Sequence, residues 1–360
     1  MRIMKNTLWK GTSFTIPKSS SSKGCSLIAF IIMIWMLNSV PAHAFESLTI
    51  QNIEAMQRTD EGLKELIHRF EQDQERIKAD RPDIYFYLKG LYSVVHNDFE
   101  SAQEYYGKSK ELSKITNHTD VEIAVLKRQI ELSDFYGDSG ELIDYGSRLL
   151  ELAELNQDKI TEMYAYDTIA LAYYYLTNDE KANEYLEKLI LLATKNKNEE
   201  YKAIYYTIMG HIYYSYQEYE KALKYYGPAM TAYQSVEQNS NMVFNMQFLA
   251  EGNILSTKAK FALEESEKAA ILKEINVLIE KANDLYISKP TLYFLYVFKG
   301  QIEQDFHMIE EAIASYYFSR EILETIQHIE KPYSYLNYVE MFLASAIMSM
   351  EIIKKRRIFS

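Results

Sequence analysis

Small residues recur along this chain at a fixed distance ahead of an alanine. Gly90 lies twelve positions before Ala102, and Ala170 with Ala182, Gly210 with Ala222 and Gly300 with Ala312 repeat the spacing. Ile130 and Leu142 form a degenerate copy. The anchors 90, 130, 170 and 210 are forty residues apart, and Gly300 follows ninety residues later, leaving room for one longer unit around Gly252. Self-similarity at a fixed period predicts a stack of repeated units. Each unit reads as two helices. Tyr206, Met209, Gly210 and Tyr213 share one helical face at i, i+3, i+4, i+7. Gln217-Glu218-Tyr219 then makes a turn, and Ala222, Tyr226 and Ala229 face back. The preceding unit repeats this with Tyr166, Ile169, Ala170 and Tyr173, then Ala182, Leu186 and Leu189. Its turn, Thr177-Asn178-Asp179-Glu180, reads as a capping box, and Asn97-Asp98-Phe99-Glu100 resembles it.

A glycine inside a helix costs about 1 kcal/mol relative to alanine. Its return at one register predicts helix backbones too close for a side chain, with aromatics filling the wider gaps around them. Most of the 31 tyrosines are then packing material. Only 12 glycines and 6 prolines occur in 360 residues, which is too few turn formers for a β-rich fold.

The first 44 residues read differently. Five basic residues and no acids precede the apolar run Leu27–Leu37, and Ala42-His43-Ala44 has the small-x-small form of a cleavage site. These are the parts of a secretory signal peptide. The alternative is an uncleaved N-terminal anchor, although about 20 apolar residues are needed for a comfortable span. The expected mature start is Phe45, and the expected location is periplasmic or secreted in a bacterium, or the inner membrane if the segment is retained. Cys25 is the only cysteine, so no disulfide or CxxC pair can form within one chain. Without residues 1–44 the chain has 34 basic and 51 acidic residues, a net charge of −17. That balance argues against nucleic acid as a partner.

The motif Tyr206…Met209-Gly210…Tyr213…Tyr219…Ala222…Tyr226…Ala229 resembles the tetratricopeptide repeat family. The units at Gly90, Ala170 and Gly300 match in part, and those at Ile130 and Gly252 match poorly. The forty-residue period exceeds the usual 34, as in the sensory repeat regions of some bacterial regulators. The resemblance implies an all-α, right-handed superhelical solenoid of antiparallel helix pairs over 82–330. Residues 45–81 are then N-terminal capping helices, and 331–360 a C-terminal capping helix with a basic tail. Met341–Met350 is apolar all round but bracketed by Glu340 and Glu351, which predicts a buried terminal helix.

The family's groove register falls on Tyr164, Asp167, Tyr174 and Tyr175, then His211 and Tyr214, then Asn253, Phe294 and Gln301. The resemblance implies a protein or peptide partner there, with no cofactor. Of the residues that clamp a chaperone tail in this family, Asn253 alone is in place, without its lysines. The seven histidines form no HExxH and no close pair, and no GxGxxG, GxxxxGK[ST] or GxSxG occurs. Neither a metal site nor an enzyme is expected. An exported interaction scaffold is the first functional expectation. The alternative is a periplasmic sensory input domain separated from, or lacking, its output domain.

Overall fold

A computed structural model describes residues 49–57, 60–236, 241–285, 287–325 and 333–359. The expected signal segment, with Cys25, Ala42, Ala44 and Phe45, lies outside the described residues. The chain divides into two units, 1–55 and 56–360. In the first, Thr49 opens the short helix α1 (Ile50–Met56), and its hydroxyl accepts the Asn52 N–H at 3.3 Å.

The second unit carries fourteen helices among its described residues, each packed mainly on its neighbours in sequence. A lead helix α2 (Asp60–Asp80) precedes six pairs. These are α3 (Pro82–Val95) with α4 (Phe99–Thr116), α5 (Thr119–Tyr136) with α6 (Ser139–Asn156), and α7 (Lys159–Tyr175) with α8 (Asp179–Lys195). Then come α9 (Glu199–Ser215) with α10 (Tyr219–Ser235), α11 (Asn241–Ala259) with α12 (Glu265–Asp284), and α13 (Lys289–Asp305) with α14 (Ile309–Thr325). A long helix α15 (Tyr333–Phe359) ends the chain; it packs on α14 and also touches α5.

The turns explain the period. Residues 97, 117, 137, 157, 177, 197 and 217 all have positive φ, at steps of twenty. In each turn the next residue's N–H donates back to the carbonyl five residues earlier, as from Asp98 to Ser93 and from Glu218 to Tyr213. That is the closure of a Schellman-type helix end. At five of these turns the same residue then caps the next helix through its side chain: Asp98, Asp138, Asp158, Asn178 and Asn198. So the expected capping box at Thr177 does not form. Thr177 is the left-handed residue, Asn178 is the cap, and the third helical position is Lys181, which cannot return the bond.

The glycines are used differently from expectation. An added Cβ at Gly90 would lie 2.5 Å from Tyr106 Cε1, and at Gly300 2.5 Å from Tyr316 Cε1. At Gly210 it would collide with the ring of Tyr226. In each pair the tyrosine is sixteen residues later, on the second helix, and fully buried. The missing side chain makes room for a ring and not for a backbone. The unit anchored at Ala170 puts the smaller Leu186 at the same place, and both are buried. The small-residue anchors and their alanines (Ala102, Ala182, Ala222, Ala312) are all buried. A second tyrosine stripe stacks within the units, Tyr173 on Tyr185 and Tyr213 on Tyr225.

The terminal helix also departs from expectation. Val339, Leu343 and Ala346 are buried, but Met341 and Met348 are more than half exposed. α15 therefore packs along one face and is not buried all round. The side chains of the basic run 354–357 lie outside the described residues.

Candidate functional site

The regular order changes after α10. α11 packs less on its own partner α12 than on α13, the first helix of the following unit. Gly252 permits this, because an added Cβ would meet the ring of Phe298 on α13. Here the small residue admits an aromatic from the next unit and not from its own second helix. A cavity of about 280 Å³ opens where α7, α9, α10, α11 and α13 converge.

Six residues of the groove register line it: Tyr174, His211, Tyr214, Asn253, Phe294 and Gln301. They come from four successive first helices, α7, α9, α11 and α13. Phe294 and Phe298 stack one helical turn apart, with centroids at 6.4 Å. The Tyr214 ring meets Tyr219 edge-on at 5.3 Å, and Lys260 Nζ lies 5.9 Å from its centroid. That lysine is held at 2.7 Å by Asp305. His211 lies 5.6 Å from the ring of Tyr226, the same tyrosine that fills the space at Gly210.

The chemistry of the cavity is uncharged. Its lining contains no Asp, Glu, Lys or Arg. Burial drives the His211 pKa down to about 4, against a weaker opposing hydrogen bond with Asn253. His211 keeps some accessible surface on the wall, but protein surrounds it, so the ring is neutral at physiological pH. The Ser215 and Ser256 hydroxyls donate to carbonyls of their own helices. The Gln301 amide is buried at the wall. The site can therefore hold an apolar or aromatic group that also carries neutral hydrogen-bonding atoms.

The other three expected residues lie outside this cavity. Tyr164, Asp167 and Tyr175, all on α7, form a second locality with Asp134 of α5. Asp167 is raised to about 7 by burial and then by Asp134. Asp134 is raised by burial, which the hydrogen bond from the Tyr175 hydroxyl opposes. Tyr164 and Tyr201 are raised by burial and by nearby carboxylates, Asp167 among them. Tyr233 links the two localities. It lines the cavity, shares a hydrogen bond with Thr207, and is raised to about 12 by burial, with Asp167 a smaller contributor.

Two important residues were missed in the sequence although the period points to both. Asp134 is Tyr174 less forty, and Thr207 is Asp167 plus forty. Phe298 had a weaker signal, one helical turn beyond Phe294. Met246, Leu249 and Ala250 also line the cavity and had none, because they belong to the unit that matches poorly.

No family model matches the sequence, and no curated protein matches it. Solved structures do resemble it. One is a signal transduction ATPase with numerous domains (STAND) that carries a tetratricopeptide repeat sensor, from Pyrococcus horikoshii. It aligns with a TM-score of 0.51 at 15% identity, over 86% of this chain and 46% of that one. This chain thus spans less than half the length of that protein. BtubC (BKLC) from P. vanneervenii aligns at 0.40 and 12% identity, over 77% of this chain and 92% of that one. A putative kinesin light chain with nearly identical TPR-like repeats, from Podosopora anserina, aligns at 0.39 and 12% identity, over 56% and 95%. At these identities the likeness speaks for architecture alone. Together with the consecutive antiparallel helix pairs, it gives residues 82–325 the fold of a tetratricopeptide-repeat-like solenoid.

Proposed function

We propose that this chain is an exported interaction scaffold, not an enzyme, and that it binds a peptide or protein partner along the face formed by the first helices of its units. One observation carries the reading. Six groove-register residues from four different helices converge on one uncharged, aromatic-lined cavity of about 280 Å³. That volume suits one or two side chains of a bound segment and is small for a cofactor. Aromatic anchors around a desolvated centre are what interaction hot spots are made of. Export rests on the leader sequence, and N-terminal sequencing of the extracted protein tests it: a start at Phe45 supports cleavage, and a start at Met1 supports an anchor.

Peptides selected from a random display library on the purified protein test the groove. Tyr174→Ala combined with Tyr214→Ala should weaken a selected peptide by a factor of ten or more, with the helical circular dichroism unchanged. Equal binding by the double variant would move the site elsewhere. A sensory input domain is the second reading. It is favoured by the long repeat period and by the repeat sensor named in the Pyrococcus horikoshii protein. A signalling enzyme fused to this region in a longer chain would favour it over the first.

A further inference from the structure

Gly90 holds the same place in its unit as Gly210, and the space beside it is also hollow. A cavity of about 240 Å³ opens there between α2, α3, α4 and α5. On its wall Leu91, Val94, Val95 and Tyr106 stand 120 positions before His211, Tyr214, Ser215 and Tyr226 of the uncharged cavity. Arg128 and Glu131 of α5 lie about Ile130 as Ala250 and Asn253 of α11 lie about Gly252. The two hollows are one place in the repeat, met twice with different walls. In this one Leu63, Leu91, Val94, Val95, Phe99 and Leu132 supply a mainly apolar surface.

Two polar groups on the wall have capacity to spare. Tyr106 is fully buried, and its hydroxyl has no hydrogen-bond partner among the described residues. The repeat shows what is missing. In the unit at Gly300 the equivalent hydroxyl, that of Tyr316, donates to Gln304 Oε1 at 3.1 Å. Gln304 stands four positions after its glycine. Four positions after Gly90 is Val94, which offers no acceptor and lines the cavity instead. The neighbouring phenol, Tyr87, with its ring 5.9 Å from that of Tyr106, is served by Arg128 Nε at 3.4 Å and Gln57 Nε2 at 3.5 Å. Arg128 also donates from Nη1 to Glu131 at 2.6 Å and from Nη2 to Gln57 Oε1 at 2.5 Å. A guanidinium has five N–H groups, so each terminal nitrogen of Arg128 keeps one. A buried hydroxyl without a partner is costly, and an accepting atom brought in from outside would remove that cost.

We propose that this cavity binds a small, mainly apolar molecule with one uncharged accepting oxygen, such as a ketone, its oxygen directed to the Tyr106 hydroxyl and a spare N–H of Arg128. An apolar cavity of about 150 Å³ can hold benzene, and this one, at about 240 Å³, suits a ring with a short carbonyl substituent. The charge balance selects the uncharged form. Glu131 already neutralises Arg128, so a carboxylate guest would bring an unpaired charge to a mainly apolar wall. The proposal stands apart from the groove reading, because it concerns a different hollow and a different class of ligand.

The probes are acetophenone, ethylbenzene of the same shape without the oxygen, and benzoate, each titrated calorimetrically into the purified full chain. Acetophenone should bind roughly tenfold more tightly than either of the others. Tyr106→Phe should weaken acetophenone by roughly fivefold or more and leave ethylbenzene unchanged. It should melt no lower than the natural protein, since the hydroxyl it removes has no partner. Val94→Gln copies Gln304 and both occupies the hollow and serves the hydroxyl, so it should abolish acetophenone binding with the helical circular dichroism unchanged. Tyr174→Ala with Tyr214→Ala, which alters only the uncharged cavity, should leave acetophenone binding intact. Loss in that double variant without loss in Tyr106→Phe puts the guest in the other cavity and overturns the proposal. So does the absence of saturable acetophenone binding, or binding indifferent to Tyr106→Phe and Val94→Gln, or tighter binding of benzoate.

Discussion

Residues 97–217 and the described residues of 241–305 are built from the same kind of helix pair, but only the first stretch keeps time. There a left-handed residue closes a helix every twenty positions, and helices α4 to α10 are all 17 or 18 residues long. In the second stretch α11 and α12 lengthen to 19 and 20 residues. α12 starts from a capping box between Glu264 and Glu267, and not from the Asp or Asn that caps five of the seven helices from α4 to α10. In the units anchored at Gly90, Ala170 and Gly210 the second helix supplies the tyrosine or leucine that fills the space beside its own first helix, whereas the unit anchored at Ile130 has Gly146 there, packed against Ile169 of α7. In the irregular one that space is filled from the next unit, by Phe298 against Gly252. The uncharged cavity opens at this change of partner, while the unpaired Asp167 sits in the regular stretch. Hollows of about 440 and 480 Å³ also open in the regular stretch, but charged side chains such as Glu122, Arg148 and Glu141 line them, whereas the one at the change of partner is uncharged.

The largest expected effects separate the two localities by pH. With Asp167 raised to about 7, the folded protein holds a proton from about pH 4 to 7 that the unfolded chain has released, so stability falls as pH rises through that window. His211 acts oppositely. Its folded value of about 4 lies below the ordinary 6.5, so between those values the unfolded chain holds the proton that the folded protein refuses, and stability rises with pH. The two slopes partly cancel in the natural protein. Asp167→Asn should raise stability at pH 8 by up to about 4 kcal/mol and remove one falling contribution between about pH 4 and 7, while Asp134, Glu303 and Asp305, also raised by burial, keep theirs. His211→Gln should leave a curve that falls from pH 4 to 7. Urea unfolding at several pH values reads both, and parallel curves for the two variants would erase the distinction.

The next effect tests the filling rule. Gly210→Ala forces the ring of Tyr226 aside and should cost about 1–3 kcal/mol. Nothing lies within 4 Å of a Cβ at Gly227, so Gly227→Ala should instead stabilise by up to about 1 kcal/mol through helix propensity. Adding Tyr226→Leu to Gly210→Ala copies the Ala170–Leu186 pair and should recover part of the loss. Thermal melts of the four proteins decide it, and equal losses at 210 and 227 would reject the rule. The smallest effect concerns the rhythm itself. Thr177 is a β-branched residue at φ 55°, a conformation that glycine reaches without strain. Thr177→Gly should stabilise by about 0.5–1 kcal/mol, and a lower melting temperature would show that the threonine side chain holds the turn.

The helix pairs were legible because they follow from the anchors at 90, 170, 210 and 300, and six of the nine groove-register residues fall on one cavity. Volume complementarity keeps the anchors small whatever the remaining sequence does. The twenty-residue rhythm was hidden for a physical reason. Its left-handed positions hold Asn, Asn, Gly, Gln, Thr, Lys and Gln in turn. The helix closure imposes the conformation there, so composition carries little trace of it. The role of glycine was misread because one absent Cβ can admit either a backbone or a ring, and the partner lies sixteen residues away. The cavity could not be read as a cavity. It depends on α11 choosing α13, and no repeat spacing encodes that choice.

The left-handed position after Gln217 on the same clock would be 237, and the next one described is His307, ninety residues on. Ninety is four and a half steps of twenty. The helices before and after the gap form two blocks, and the turn at His307 falls half a step out of phase with the seven before it, which in a crystal would be called a stacking fault. At this fault α12 packs more weakly on its neighbours than the second helices α4, α6, α8 and α10 do on theirs. Local opening should therefore begin at α11 and α12, where hydrogen exchange would run ahead of that in α7 to α10. A guest seated in the cavity would clamp the fault and couple the two blocks into a single unfolding unit.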